Sequence, residues 1–164
     1  MHGSSGEDLL ERASRNRLTR ALATVEVELE ARGLRLTESR RQLVTLTLDV
    51  PGCFRAEDLV RVSQRAGQSR ASLSTVYRMV PVMIQAGVLR EVTFPTARGR
   101  FLEVAFERDA ADHLRCIGCN TVVEYRLPAL DAIRRALNAE FGFELTGRRF
   151  EGYGFCRECR PKSS

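Results

Sequence analysis

The sequence predicts an α+β protein in two parts: a helical part closed by a two-stranded hairpin, then a smaller strand–helix–strand part clipped by a metal. Three observations carry this. Four stretches with apolar residues at helical spacing fill residues 7–87. Two short strand-like segments follow, at 88–94 and 100–106. Two C-x2-C pairs bracket the last part of the chain. The 164 residues allow two domains of roughly 80 residues each, and cores that thin gain from a metal or a partner chain.

Residues 7–32 read as the first helix, because Leu18, Leu22, Val25 and Leu29 recur four, three and four apart, and Gly33 ends it. Thr37 caps a second helix, "TESRRQLVTLTL", and "PG" at 51–52 breaks the chain. "RAEDLVRVSQRAG" (55–67) makes a third. Ser72 or Ser74 caps a fourth, "LSTVYRMVPVMIQAG", which ends at Gly87. Pro81 lies inside it, lacks an N–H and costs about 3 kcal/mol or kinks the helix, so a bend is expected after Val80. "VLREVTF" and "RFLEVAF" are strands joined by "PTARG". Three short helices followed by a hairpin is the order of a winged helix, whose last helix enters the DNA major groove.

The second part begins near Asp109. "HLRC" and "TVVEY" are short strands around the first cysteine pair. "PALDAIRRALNAEFG" (128–142) is an amphipathic helix with Leu130, Ile133, Leu137 and Phe141 on one face, Pro128 at its start and Gly142 at its end. "FELTGRRFEGYGFC" returns as a strand to the second pair. So little apolar area is buried here that dimerisation through this part is expected. The expected division is therefore a winged-helix DNA-binding domain at 7–106, a hinge at 107–111, and a dimerisation and metal-binding α/β domain at 112–164.

The net charge of +5 is uneven: residues 1–100 hold 16 Arg against 11 acids, while 101–164 hold 10 basic and 10 acidic residues. An Arg-rich first part favours nucleic acid, against the plainer reading of a solvated surface. No run of 18 apolar residues exists, which excludes a membrane-spanning helix. "MHGSSG" reads as an expression remnant rather than an export signal, so a reducing, cytoplasmic location is expected, where paired cysteines favour metal over disulfide.

Cys116, Cys119, Cys156 and Cys159 form two C-x2-C pairs separated by 36 residues. Brought together, they make a closed tetrahedral thiolate cage for one structural Zn2+ per chain. The alternative is four separately buried thiols. A closed cage offers no open coordination position and cannot catalyse. No nucleophile elbow, phosphate-binding loop, dinucleotide fingerprint or deaminase zinc motif is present, so no enzyme activity is expected.

"GLRLTESRRQLV", "CFRAEDLV", "SLSTVYRMV", "HLRCIGCNTVVEY" and "GYGFCREC" together resemble the ferric uptake regulator family of dimeric, metal-responsive bacterial transcription repressors, with the zinc uptake regulator type as the candidate subgroup. The resemblance spans roughly residues 33–160. It implies that Tyr77 and Arg78 face the major groove, that Arg35 reaches an A/T-rich minor groove, and that Ser72 and Thr75 touch phosphates of a palindromic operator. It also implies a regulatory metal between the domains, held by Cys53, Glu103, His113 and Glu124. Thiolate plus imidazole suits Zn2+ better than Fe2+ or Mn2+. A further accessory site of the family is eroded, its positions reading Ala110, Ala111, Asp112, Asp131 and Arg148; Arg148 is expected to pair with Asp131 or Asp112.

Three rival readings stand beside the metal-switched repressor. One is a DNA binder with structural zinc only. Another is a thiol redox sensor using Cys53. The third, a zinc hydrolase or deaminase, lacks its motif.

Overall fold

The computed structural model describes residues 4–65, 71–94, 99–108, 112–145 and 150–161, with side chains from residue 11 onward. The chain falls into two compact units, Met1–Val92 with Arg100–Arg108, and Thr93–Gly99 with Asp109–Ser164. The expected turn residues 95–98, the end of the third helix at 66–67 and the hinge residues 109–111 lie outside the described residues.

The first unit is a winged helix carrying an additional long helix at its start. α1 (Ser4–Glu30) begins inside "MHGSSG", earlier than the apolar pattern requires. Its stripe of Ala21, Leu22, Val25 and Leu29 is buried and joins the core. Gly33, at φ +66°, lets the chain turn so that Gly33 and Leu34 amides bond back to the Glu30 and Leu29 carbonyls. Arg17 donates to the Phe106 carbonyl at 3.0 Å, and both nitrogens of the Arg20 fork reach the Glu107 carboxylate at 2.6 and 2.8 Å. α1 therefore braces the first unit, a role that periodicity alone leaves open. Leu29→Ala is expected to destabilise this unit by about 2–5 kcal/mol, read from its denaturant midpoint.

α2 (Glu38–Leu48) buries Leu43, Val44, Thr47 and Leu48. Thr37 occupies the cap position but makes no side-chain cap bond. α3 (Ala56–Arg65) buries Leu59 and Ser63, and the Ser63 hydroxyl accepts the Ala71 amide at 2.9 Å, which fixes the approach to the next helix. α4 (Leu73–Gln85) is capped by Ser72, whose hydroxyl accepts the Thr75 amide at 3.1 Å. Its inner face is Val76, Met79, Val80, Val82 and Met83.

The expected bend after Val80 does not break α4, which continues as one helix through Pro81. The reason lies in placement. Pro81 and Tyr77, whose carbonyl the missing N–H leaves unfilled, are both exposed. The hydrogen bond that proline removes is therefore on the solvent side, where its loss is cheapest.

β1 (Leu89–Val92) and β2 (Phe101–Val104) pair antiparallel, with Arg90 opposite Glu103. Both are shorter than their sequence segments. A single bridge between Phe54 and Leu102 adds the loop before α3 to the hairpin.

In the second unit β3 (Asp112–Cys116) is the central strand, antiparallel to β4 (Val122–Tyr125) and parallel to β5 (Glu151–Gly154). α5 (Pro128–Phe141) starts on Pro128 and ends on Gly142 at φ +67°. Its apolar face exists as expected but buries nothing within one chain: Ile133 is 54% and Phe141 62% exposed. No helix among the described residues is long and apolar enough to cross a membrane.

Candidate metal centres and nucleic-acid interface

Parallel pairing of β3 with β5 sets Cys116 opposite Gly154, and so brings the two C-x2-C turns side by side. All four sulfurs lie within 4.8 Å of one another, and Cys119 and Cys156 are 3.9 Å apart. A tetrahedral zinc with bonds of about 2.3 Å needs sulfur–sulfur edges of about 3.8 Å. All four are free thiols rather than disulfides. The residues present fit a structural Zn2+.

The electrostatics fit as well. The Cys116 sulfur accepts the amides of Cys119 at 3.5 Å and Cys156 at 3.3 Å. Those two amides, Cys119 first, hold its thiol down at about 6. The Cys159 thiol is pushed up to about 12 by the sulfurs around it, Cys156 first. Four thiolates this close repel one another until a cation neutralises them. The turn is also tight. A Cβ on Gly118 would stand 2.8 Å from the Cys159 Cβ and 3.1 Å from its sulfur. Gly118→Ala is therefore expected to loosen the cage, seen as faster zinc transfer to a chromophoric chelator than from wild type.

Of the four residues expected to hold a second metal, each unit places two side by side. In the first unit the Phe54–Leu102 bridge sets Cys53 opposite Glu103, with the Cys53 sulfur and a Glu103 carboxylate oxygen within 4.8 Å. In the second unit His113 stands opposite Glu124 on β4. Glu103 and His113 are buried, Cys53 is half-buried and Glu124 is exposed. The Phe94 ring meets the His113 imidazole edge-on, at 6.3 Å between centroids.

Two neighbours of this set escape the sequence reading. Arg90 forms an ion pair with the buried Glu103 carboxylate at 2.6 Å and donates to the Arg108 carbonyl at 3.0 Å. Glu151 of β5 flanks His113 on the side away from Glu124. Both follow from strand register, and the order of residues along the chain does not give register by itself. Of the eroded accessory positions, Asp112 accepts the Phe150 amide at 2.8 Å. Ala110, Ala111 and Arg148 lie outside the described residues.

The expected DNA-contacting side chains gather on α4 and the start of α2. Tyr77, Arg78 and Arg35 are exposed. Ser72 and Thr75 share a hydroxyl–hydroxyl bond of 2.9 Å in the α4 cap. A pocket of about 220 Å³ between the starts of α2 and α4 is lined by Thr37, Ser39, Arg40, Thr75, Arg78 and Met79. Two guanidinium groups, hydroxyls and two helix N-termini make a lining suited to phosphate. Arg40 belongs to this face as well, although the sequence reading assigns a DNA contact to Arg35 alone in its segment. The Tyr77 hydroxyl donates to the Glu57 carboxylate of α3, which stabilises the charged form and holds the Glu57 carboxyl below the usual carboxylate range.

Residues 31–153 match the model of the ferric uptake regulator family. The chain is 34% identical over 137 residues to the ferric uptake regulation protein of Rhizobium leguminosarum bv. viciae, covering 84% of this chain and 94% of that one. The Helicobacter pylori ferric uptake regulator has the same fold, with a TM-score of 0.72 at 20% identity over 90% of this chain and 96% of that one. A zinc-bound manganese uptake regulator is 34% identical with a TM-score of 0.58, over 81% of this chain and 98% of that one.

Proposed function

Because the chain belongs to the ferric uptake regulator family, we propose that it is a metal-dependent transcription regulator, a homodimeric repressor of metal-homeostasis genes. The observation that carries this reading is the division of donors: Cys53 with Glu103 on the first unit, His113 with Glu124 on the second. Together these residues hold one divalent ion, which neutralises their negative charge. Holding it fixes the angle between the units. That angle sets the spacing of two α4 helices, which must match half-sites about one helical turn, ~34 Å, apart. The soft-to-borderline donor set favours Zn2+ over Fe2+ or Mn2+. The uncovered apolar face of α5 suits the second copy.

On DNA, Tyr77 and Arg78 read the major groove of an A/T-rich palindrome, Arg35 enters the adjoining minor groove, and Ser72 and Thr75 hold phosphates. Arg78→Ala is expected to weaken operator binding by about 1–3 kcal/mol, roughly 5–150-fold, in a fluorescence anisotropy titration.

The test of the reading is metal content per chain before and after chelation, followed by DNA binding of both forms. Two equivalents of zinc, one exchangeable and required for DNA binding, support it. One tightly held equivalent with DNA binding indifferent to chelator overturns the switch. A second reading draws on Arg90, which already gives Glu103 a positive partner. In it the protein binds DNA with structural zinc alone, either unswitched or switched by oxidation of Cys53. In the oxidised-switch form of this reading peroxide would abolish DNA binding and reductant would restore it; in the unswitched form neither would change it.

A further inference from the structure

The face that carries Arg35, Arg40 and Arg78 also carries an acid. Glu57 is exposed in the first turn of α3. Arg55 and Arg61 act on it through their charge, while Arg61 makes its ion pair with Asp58 at 2.7 Å and the Arg55 guanidinium lies over the Phe101 ring at 4.8 Å. Its carboxylate accepts the Tyr77 hydroxyl and, more weakly, its own backbone amide. A carboxylate so placed costs affinity for any polyanion, because it repels the phosphates the arginines attract. It also takes hold of the tip of an aromatic side chain on the helix proposed to read bases.

We infer that Glu57 is a positioning and specificity-determining residue for DNA recognition, fixing the Tyr77 ring from a neighbouring helix while its charge disfavours sequence-independent phosphate binding. This rests on the reading that α4 enters the major groove. Tyr77 is half exposed, at 50%, and its hydroxyl bond to Glu57 ties the end of the ring to α3. Held there, the ring presents one edge to a base, such as a thymine methyl, without first losing rotamer freedom. Freed, it contacts many sequences about equally.

The test uses the full-length, metal-loaded dimer. A duplex selected from a random pool by the wild type is compared with a scrambled duplex of the same composition, and the ratio of the two affinities is the readout. Glu57→Ala is expected to raise scrambled-duplex affinity roughly 5-fold through the lost charge. It is also expected to lower the ratio about 3–10-fold through the lost hydrogen bond. Tyr77→Phe keeps the charge and should lower the ratio by the same factor. The double variant should lose no more than either single one, since both remove one interaction. Glu57→Gln keeps an acceptor for the hydroxyl and removes the charge, so both affinities rise while the ratio is restored. A merely structural role would shift the thermal midpoint and move both affinities together without that rescue. Additive losses, or a ratio unmoved in Glu57→Ala and Tyr77→Phe while Tyr77→Ala destroys it, overturn the inference alone. A wild-type dimer that selects no sequence overturns the DNA reading and the inference with it.

Discussion

Cys116→Ser is expected to cost the second unit its fold. The cage it belongs to joins the end of the central strand, at Cys116, to the turn that follows β5. Apolar packing offers little else there. α5 buries none of its residues, and Leu114, Val123, Tyr153 and Phe155 are all about half exposed. Among the described residues after 111, those buried are Asp112, His113, Arg115 and Cys116, three of them polar. A structural zinc contributes on the order of 10–16 kcal/mol in small peptides, against a total domain stability of about 5–15 kcal/mol. No set of contacts visible in this unit replaces that. The variant should lose its tightly held zinc, its dimer and its DNA binding together, seen as metal content, sedimentation and anisotropy. The winged-helix unit should keep its own unfolding transition, because its core of Leu29, Leu43, Val76, Met79 and Met83 is built without the cage. Acid should mimic the substitution, since protons compete with zinc for thiolates and release it as pH falls. A zinc-free Cys116→Ser protein that remains a dimer would refute the argument.

What the sequence made legible follows a physical rule. Features set by spacing along one element were readable: the helical stripes of α1 and α5, a serine cap for α4 at Ser72 or Ser74, the end of α5 at Gly142 and the two C-x2-C pairs. Features set by register or by contact between elements were not. Arg90 and Glu103 are 13 positions apart and meet because β1 and β2 pair in one particular register. Glu57 and Tyr77 meet because α3 packs on α4. Pro81 suggested a bend after Val80 because propensity ignores which side of the helix it falls on. α1 extends beyond its apolar stripe because helix, once nucleated, propagates through Gly and Ser at modest cost. The resemblance named Cys53, Glu103, His113 and Glu124. The structure adds that each unit sets two of them opposite one another, and that Glu103 already has a cationic neighbour.

That neighbour decides which variant tests the proposed switch. Glu103→Gln would leave the Arg90 guanidinium partly buried without its counter-charge, a change that costs several kcal/mol whether or not a metal binds nearby. His113→Ala removes a fully buried ring and leaves a cavity beside Phe94. Cys53→Ser exchanges sulfur for oxygen at a half-buried position and changes shape least. It also replaces the softest donor of the set with a poor zinc ligand. Cys53→Ser is therefore expected to keep the caged zinc, the dimer and the thermal midpoint, and to lose the exchangeable equivalent. Metal should raise wild-type DNA affinity by roughly 5–150-fold, a coupling of ~1–3 kcal/mol, and should leave that of the variant unchanged. The reciprocal holds too: operator DNA should tighten zinc binding by the same factor in wild type and by none in Cys53→Ser. His113→Ala, attacked from the other unit, should lose the same coupling despite its separate effect on stability. Retention of metal-dependent DNA binding in Cys53→Ser, with a wild type whose DNA binding is insensitive to peroxide, would leave a regulator whose zinc serves only to hold its second unit together.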